Sequence, residues 1–180
     1  MLTQLLGPIT RVAARGSSAS PTRVVGAGPR AGESFDVTVP TYVAALYDFA
    51  GGRIASLTLS FDSPLVRLGV VEVAGTEATL VAPDPNSFLG DVRIARGRRW
   101  ETLPVTGVEG GRGIGVLDMG RALRTGTQHR ATGRLGLHVL DAMFATATSI
   151  EEDRFVAVDS AFEQIPPTPS DFDPTARTLR

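Results

Sequence analysis

The sequence predicts an α+β fold, an open, mostly antiparallel β-sheet with helices on one face. Three observations carry this prediction. Short alternating or β-branched segments follow one another from residue 35 to residue 105. The turns between them are too short for the crossover connections that parallel strands need. Two helical patterns come only after these strands, and strands grouped apart from helices are typical of α+β domains.

The chain begins with a helical segment, LTQLL, which Gly7-Pro8 ends. The strand pattern ITRVAAR follows, and residues 16–33 are rich in Gly, Ser and Pro, which predicts a long loop. Turn signals such as Gly51-Gly52 then separate consecutive strand patterns. These patterns are FDVTVP, YVAALYDF, RIASLTLSF, LGVVEVAG, EATLVA, DVRIAR and WETLPV.

Two helices are predicted in GIGVLDMGRALRTG and GRLGLHVLDAMFATATSI. Gly126 lies where the first should end. The second carries two apolar stripes, which predicts that it is covered on most sides. A last strand, RFVAVD, precedes a polar, proline-containing end. We therefore expect one domain over residues 1–159, with residues 1–6 as the end of a helix, and an extended Pro-rich tail over residues 160–180.

The composition excludes several classes of function. A length of 180 residues suits one domain, and the net charge of −1 gives no electrostatic reason to bind nucleic acid or an anionic membrane. No signal peptide pattern or membrane-length apolar run is present, so we expect a cytoplasmic protein. There is no cysteine, and all 18 basic residues are arginine. Thiolate chemistry and lysine-based catalysis are therefore excluded for this chain alone.

The segment VVGAGPRAGE contains a possible phosphate-binding motif. Gly26, Gly28 and Ala31 have the spacing G-x-G-x-x-A, and Asp48 follows about 20 residues later. A dinucleotide site of this kind needs a helix that opens inside the motif. The downstream residues alternate with period two, and Pro40 would interrupt a helix. The pattern therefore favours a loop over a dinucleotide site.

The two histidines are the only side chains that titrate near neutral pH without a perturbed pKa. His138 lies in the more apolar helix, which indicates a core residue, and His129 lies in the loop between the helices. Their spacing is not that of a helical metal-binding pair, so no metal site is expected. Asp118 and Asp141 lie on helices, where capping, pairing with arginine or exposure to solvent is expected.

The succession GPRAGE, SFD, GTEATL, DPN, RGIGVLDM, HRATG and LHVLDAM resembles the C-terminal domain of the Gfo/Idh/MocA oxidoreductases, the family of glucose–fructose oxidoreductase and inositol dehydrogenase. The resemblance covers nearly all of residues 1–150. It implies a two-domain parent enzyme, in which an N-terminal Rossmann domain carries NAD or NADP. The second domain shapes the substrate site and makes subunit contacts. The resemblance thus implies that this chain alone binds no cofactor.

In that family, hydride transfer uses a lysine in an E-K-P motif and an Asp-x-x-x-His or Asp-x-x-x-Tyr pair on the helix that enters the C-terminal domain. The segment MLTQLLGP resembles the end of that helix, so both groups would lie upstream of Met1 and no catalytic residue is expected here. The family's substrate contacts fall in the turn SFDSPLVRLG, where Asp62 and Arg67 could hydrogen-bond sugar hydroxyls. Arg112 could bind a substrate carboxylate or phosphate. Solvated turn residues are the alternative.

The resulting hypothesis is the substrate-side and oligomerisation domain of an NAD(P)-dependent sugar or cyclitol oxidoreductase, present as a truncated or split chain. Its expected partners are further copies of itself, through the sheet face, and a separate Rossmann chain. Two alternatives remain open: a non-catalytic oligomerising or binding module, and an inactive gene fragment.

Overall fold

A computed structural model describes residues 1–63, 71–104 and 110–176. Three helices and ten strands are found within these ranges. In chain order they are α1 (Leu2–Leu6), β1 (Ile9–Ser17), β2 (Thr22–Val24), β3 (Ser34–Asp36), β4 (Tyr42–Phe49), β5 (Ile54–Ser60), β6 (Val71–Ala74), β7 (Thr79–Ala82), β8 (Val92–Arg96), β9 (Arg99–Leu103), α2 (Ile114–Thr125), α3 (Gly133–Glu152) and β10 (Val156–Ala157).

The chain divides into two compact units, which are described separately. The α3 unit consists of residues 2–65 and 133–164, and the α2 unit consists of Met1 with residues 66–132 and 165–180. Every strand pair among the described residues is antiparallel. The predicted α+β class is therefore confirmed. The predicted boundary between domain and tail at residue 159 stays a prediction.

The α3 unit contains a four-stranded sheet with the strand order β10-β1-β4-β5. Alternate residues of these strands point to opposite faces. On one face, Val12 lies opposite Tyr47 and Ala14 opposite Ala45, and all four side chains are buried. They form the core with buried residues of α3. This face of the sheet is covered by the helix.

The opposite face of the same sheet is called the outer face. It carries Arg11, Ala13 and Arg15 from β1, Ala44, Leu46 and Asp48 from β4, and Ile54, Ser56 and Thr58 from β5. A bulge between Ile9 and Arg11 shifts the register at the start of β1. Most of the outer-face side chains are at least partly accessible to solvent.

Helix α3 packs on the sheet through small residues. Its buried side chains are His138, Ala142, Ala145 and Ser149, which recur at helical spacing on one stripe. Leu137, Leu140 and Phe144 are 60%, 48% and 65% exposed. The expectation that this helix is covered on most sides is therefore wrong. Periodicity shows that a face is apolar, but it does not show which neighbour covers that face.

The predicted loop over residues 16–33 also needs correction, because it contains a strand. Strands β2 and β3 form a separate two-stranded hairpin, with Arg23 opposite Phe35. The glycine-rich composition correctly indicated a turn, but only residues 25–33 form it. A three-residue strand is too short to give a clear alternation in the sequence.

The α2 unit contains a meander with the strand order β6-β7-β8-β9. Residues of neighbouring strands lie directly opposite, as in Leu80 with Ile94 and Ala95 with Trp100. The Arg93 guanidinium lies 4.8 Å from the centroid of the Trp100 ring. Helix α2 ends at Thr125 and is capped by Gly126, which has a φ of 70° and donates its N–H to the Ala122 carbonyl. The predicted glycine cap is thus confirmed.

Candidate functional site

The glycine motif lies in the loop of the β2–β3 hairpin. Gly28 and Gly32 have φ values of 87° and 90°, which suit glycine and tighten the turn. The N–H of Ala31 donates to the Gly28 carbonyl, and the N–H of Gly32 donates to the Val25 carbonyl. These N–H groups therefore bond inside the loop instead of pointing together at an anion from a helix N-terminus. The spacing G-x-G-x-x-A therefore belongs to a hairpin loop and not to a dinucleotide-binding motif.

The acidic residue that follows the motif has a structural partner. Asp48 accepts hydrogen bonds from Arg11 on the outer face, with an Nε to Oδ2 distance of 2.8 Å. The Arg11 guanidinium also lies 4.4 Å from the centroid of the Phe155 ring. Asp48 therefore belongs to a cross-strand ion pair and not to a ribose site.

Asp62 lies just beyond the end of β5 and is exposed. Its N–H donates to Ser60 Oγ at 3.2 Å. The preceding Phe61 is held by Arg23, whose Nη2 donates to the Phe61 carbonyl at 3.3 Å. The β2–β3 hairpin thus contacts the turn that carries Asp62. Arg67, the other candidate in this turn, lies outside the described residues.

Arg112 lies in the α2 unit, two residues before α2, and its side chain is exposed. Gly113 follows in the left-handed conformation with a φ of 95°, and it caps α2 without a side-chain hydrogen bond. The Ile114 N–H donates to the Gly111 carbonyl at 3.3 Å, so the first N–H of α2 is bonded within the turn that contains Arg112. Asp62 belongs to the α3 unit, whereas Arg112 belongs to the α2 unit.

His138 is completely buried, and both of its ring nitrogens have partners. The Ile9 N–H donates to Nε2 at 2.9 Å, which places the proton of a neutral ring on Nδ1. Nδ1 lies 3.0 Å from the Ser160 carbonyl, which accepts that proton. The ring therefore joins α3 to the start of β1 and to the segment after β10. It is a core histidine, and not a general base.

Asp141, one turn along α3 from His138, supports the same segment. The Ser160 N–H donates to its Oδ2 at 3.0 Å. Hydrogen bonds from the Ser160 hydroxyl and backbone N–H lower the pKa of Asp141 below its ordinary value of 3.8. The carboxylate is therefore ionised at neutral pH and serves as an acceptor, and not as a proton donor.

Asp118 pairs with Arg130 inside the α2 unit. It accepts hydrogen bonds from the Arg130 backbone N–H at 2.8 Å and from the Arg130 guanidinium. This pair fixes the loop after α2, which also contains His129. His129 Nδ1 is buried, and no hydrogen bond to it is found in the part of the chain that the structure describes. Of the three alternatives expected for Asp118, the structure has the pairing with arginine.

The outer face borders an open cavity of about 440 Å³. Outer-face residues of β1, β4 and β5 line it together with residues 153–155 beside the edge of β1. Its charged groups are paired: Arg15 bonds Asp153, and Arg154 bonds Glu152 at 2.5 Å. The cavity combines an apolar floor, including Leu46 and Phe155, with an ion-paired rim.

Across residues 1–63, 71–104 and 110–176, no group of three or more His, Asp or Glu side chains could hold a metal ion. Within the same residues, no helix is both long and apolar enough to cross a membrane.

The described residues thus define an α+β domain of antiparallel sheets, in which a hairpin loop contains the glycine motif. Residues 1–81 match the family model described as the GFO/IDH/MocA C-terminal domain. No curated protein matches the chain. The predicted resemblance to the C-terminal domain of the Gfo/Idh/MocA oxidoreductases is therefore confirmed.

Solved structures give the same assignment of the fold. The chain is similar to the apo form of levoglucosan dehydrogenase, with 20% identity and a TM-score of 0.73 over 89% of this chain and 49% of that chain. The complex of levoglucosan dehydrogenase with NADH and levoglucosan gives 20% identity and 0.70 over 88% and 47%. An NAD binding oxidoreductase from Klebsiella pneumoniae gives 23% and 0.68 over 84% and 46%. The chain spans about half the length of these proteins.

Proposed function

We propose that this domain forms the substrate side of an NAD(P)-dependent sugar or cyclitol oxidoreductase. A nucleotide-binding half, in the same longer polypeptide or in a separate chain, supplies the cofactor and the lysine that this sequence lacks. A cytoplasmic location accompanies this proposal.

The similarity of the fold to that of known oxidoreductases is the observation that supports the proposal. The chain resembles about half of each similar oxidoreductase, and one of those structures holds NADH together with a sugar. In this chain the glycine motif is a hairpin loop whose N–H groups bond within the loop. Hydride transfer from an alcohol requires a base near the hydroxyl proton. His138, one of only two histidines, is fully occupied as a core residue. The hairpin role of the glycine motif and the structural role of His138 both support a cofactor site and a catalytic base in another domain.

Asp62, Arg67 and Arg112 are the proposed substrate contacts. Asp62 follows β5 and Arg112 precedes α2, and both are exposed charged groups in loops, where binding residues concentrate. A carboxylate accepts hydrogen bonds from sugar hydroxyls, whereas a guanidinium donates them. Each residue type can therefore contribute a directed hydrogen bond to a polyol.

The substrate contacts are testable in the enzyme assembled from this domain and its nucleotide-binding half. With levoglucosan and inositol as substrates, Asp62→Asn and Arg112→Ala are each expected to lower kcat/KM about tenfold, mainly through KM, because a charge-assisted hydrogen bond is lost. Asp36→Asn and Arg98→Ala, which change other exposed charges, should leave it unchanged. Unchanged kcat/KM in Asp62→Asn and Arg112→Ala would contradict the proposal that these residues contact the substrate. An assembled enzyme that oxidises no polyol would reject the proposed function.

We propose further that copies of the domain associate through the outer face. Ile54 and Leu46 are 74% and 50% exposed there, and Phe155 extends this surface. An exposed apolar surface with a polar rim is typical of a protein interface. This observation also favours the alternative function, a non-catalytic oligomerising or binding module. Association without any polyol oxidation by the assembled protein would support that alternative.

Sedimentation velocity tests the association. The wild-type chain is expected to sediment as an oligomer, and Ile54→Arg is expected to shift it to the monomer, because a long charged side chain would replace an exposed apolar one and would lose its water on association. Leu137→Arg places the same side chain on the exposed stripe of α3 and is the matched control. A monomeric wild type, or dissociation by Leu137→Arg alone, would contradict an interface at the outer face.

A further inference from the structure

Residues 165–176 contain no helix or strand, yet they are attached to the rest of the α2 unit by side-chain hydrogen bonds. The segment bends through local bonds, in which the Phe172 N–H donates to the Pro169 carbonyl at 3.1 Å. The Asp173 carboxylate accepts from the N–H and the hydroxyl of Thr175, both at 2.7 Å. These bonds define a folded segment instead of a free chain end.

Arg121, on α2, makes the closest contacts with this segment. Its Nη2 donates to the Asp173 carbonyl at 2.7 Å and to the Ala176 carbonyl at 3.0 Å. Its guanidinium carbon lies 4.6 Å from the centroid of the Phe172 ring. One arginine therefore binds two carbonyls and an aromatic face of the same turn, and a planar guanidinium can make these contacts together.

Arg130, in the loop after α2, makes a second attachment. One terminal nitrogen of its guanidinium bonds Asp118, and the other donates to the Pro167 carbonyl at 3.3 Å. Asp118 and Arg121 are three residues apart and so lie on the same side of α2. The segment thus contacts both α2 and the loop that follows it.

We infer that residues 165–176 are a strap that fixes the loop after α2 to the helix through Arg121 and Arg130. Proline occurs four times within the segment, at positions 166, 167, 169 and 174. Each proline restricts the free chain, so less conformational entropy is lost when the strap is bound. Both arginines bond backbone carbonyls of the segment, and Phe172 is the side chain of the segment that contacts Arg121.

Hydrogen–deuterium exchange of the full chain tests the strap. Arg121→Ala should accelerate exchange of the Phe172 and Ala176 amides about tenfold or more, because charge-assisted hydrogen bonds are lost. It should leave the amides of β1 and β4 unchanged. Arg124→Ala, on the same helix, is the matched control and should change neither set. Unchanged exchange at Phe172 and Ala176 in Arg121→Ala would overturn the inference.

A second variant tests the effect of the strap on the loop. A chain that ends at Gln164 retains the hydrogen bonds of Gln164 to the Thr3 and Gln4 carbonyls and removes the strap. Its Thr127 and Arg130 amides should exchange at least about tenfold faster than in the full chain, with β1 and β4 unchanged. Equal exchange of the loop in both chains would overturn the inference. If β1 and β4 also lose protection, the shortened chain is destabilised as a whole. The exchange of Phe172 and Ala176 in Arg121→Ala then decides whether the inference holds.

Discussion

Replacing His138 by leucine is expected to lower the free energy of unfolding of the α3 unit by about 3 kcal/mol. The two side chains have similar volumes, so the effect comes from hydrogen bonds and not from a cavity. Leucine leaves the buried Ile9 N–H without its acceptor, which His138 Nε2 provides at 2.9 Å. Leucine also removes the Nδ1–H donor that bonds the Ser160 carbonyl, which leaves this carbonyl without that hydrogen bond. Each unsatisfied buried group costs about 1 to 3 kcal/mol.

Urea unfolding followed by circular dichroism measures this effect. Leu137→Ala changes the adjacent residue, which is 60% exposed, and is expected to cost less than about 1 kcal/mol. Equal losses in the two variants would contradict the assignment of His138 as the residue that joins α3 to β1. The unsubstituted 180-residue chain serves as the reference in both cases.

Replacing Ser149 by alanine is expected to cost about 2 to 3 kcal/mol, a large effect for the loss of one hydroxyl. Ser149 is 1% exposed. Its Oγ accepts from the Ala14 N–H at 2.9 Å and donates to the Arg154 carbonyl at 2.6 Å. The pairing of β1 with β10 ends opposite Val12, so the serine hydroxyl replaces the missing strand as the partner of Ala14. Alanine leaves both backbone groups unsatisfied.

Thermal or urea unfolding of Ser149→Ala checks this prediction. Glu151→Ala, at an exposed position of the same helix, is the control and should change the free energy of unfolding by less than about 0.5 kcal/mol. A Ser149→Ala variant as stable as the control would show that water or a local shift satisfies Ala14 equally well.

Local patterns in the sequence were sufficient to predict much of the fold. The Gly7 end of α1, the Gly126 cap of α2 and the antiparallel strands all follow from signals within a few residues of the feature. Strand β2 was not predicted, because three residues beside a glycine-rich turn resemble a loop, and the predicted strand FDVTVP is observed only at Phe35 and Asp36. The exposed stripe of α3 was not predicted either, because covering it depends on a neighbour and not on the helix itself.

Contacts between distant residues explain what could not be predicted about the candidate site. Ser149 bonds Ala14 across 135 residues, and Arg121 bonds Asp173 across 52. Nothing near either residue indicates its partner. For Asp118, capping, pairing with arginine or exposure to solvent was expected because it lies on a helix, and Arg130 could not be singled out as its partner from the sequence. Asp62, Arg67 and Arg112 stay predictions.

The most direct test of the proposal that another domain holds the cofactor is a titration of this 180-residue chain with NADH and NADPH, followed by calorimetry. The proposal predicts no saturable binding below about 1 mM, a limit equivalent to about −4 kcal/mol, for either nucleotide. The same titration of the chain joined to its nucleotide-binding half is the positive control. Micromolar binding by this chain alone would contradict the proposal that the cofactor site lies in another domain.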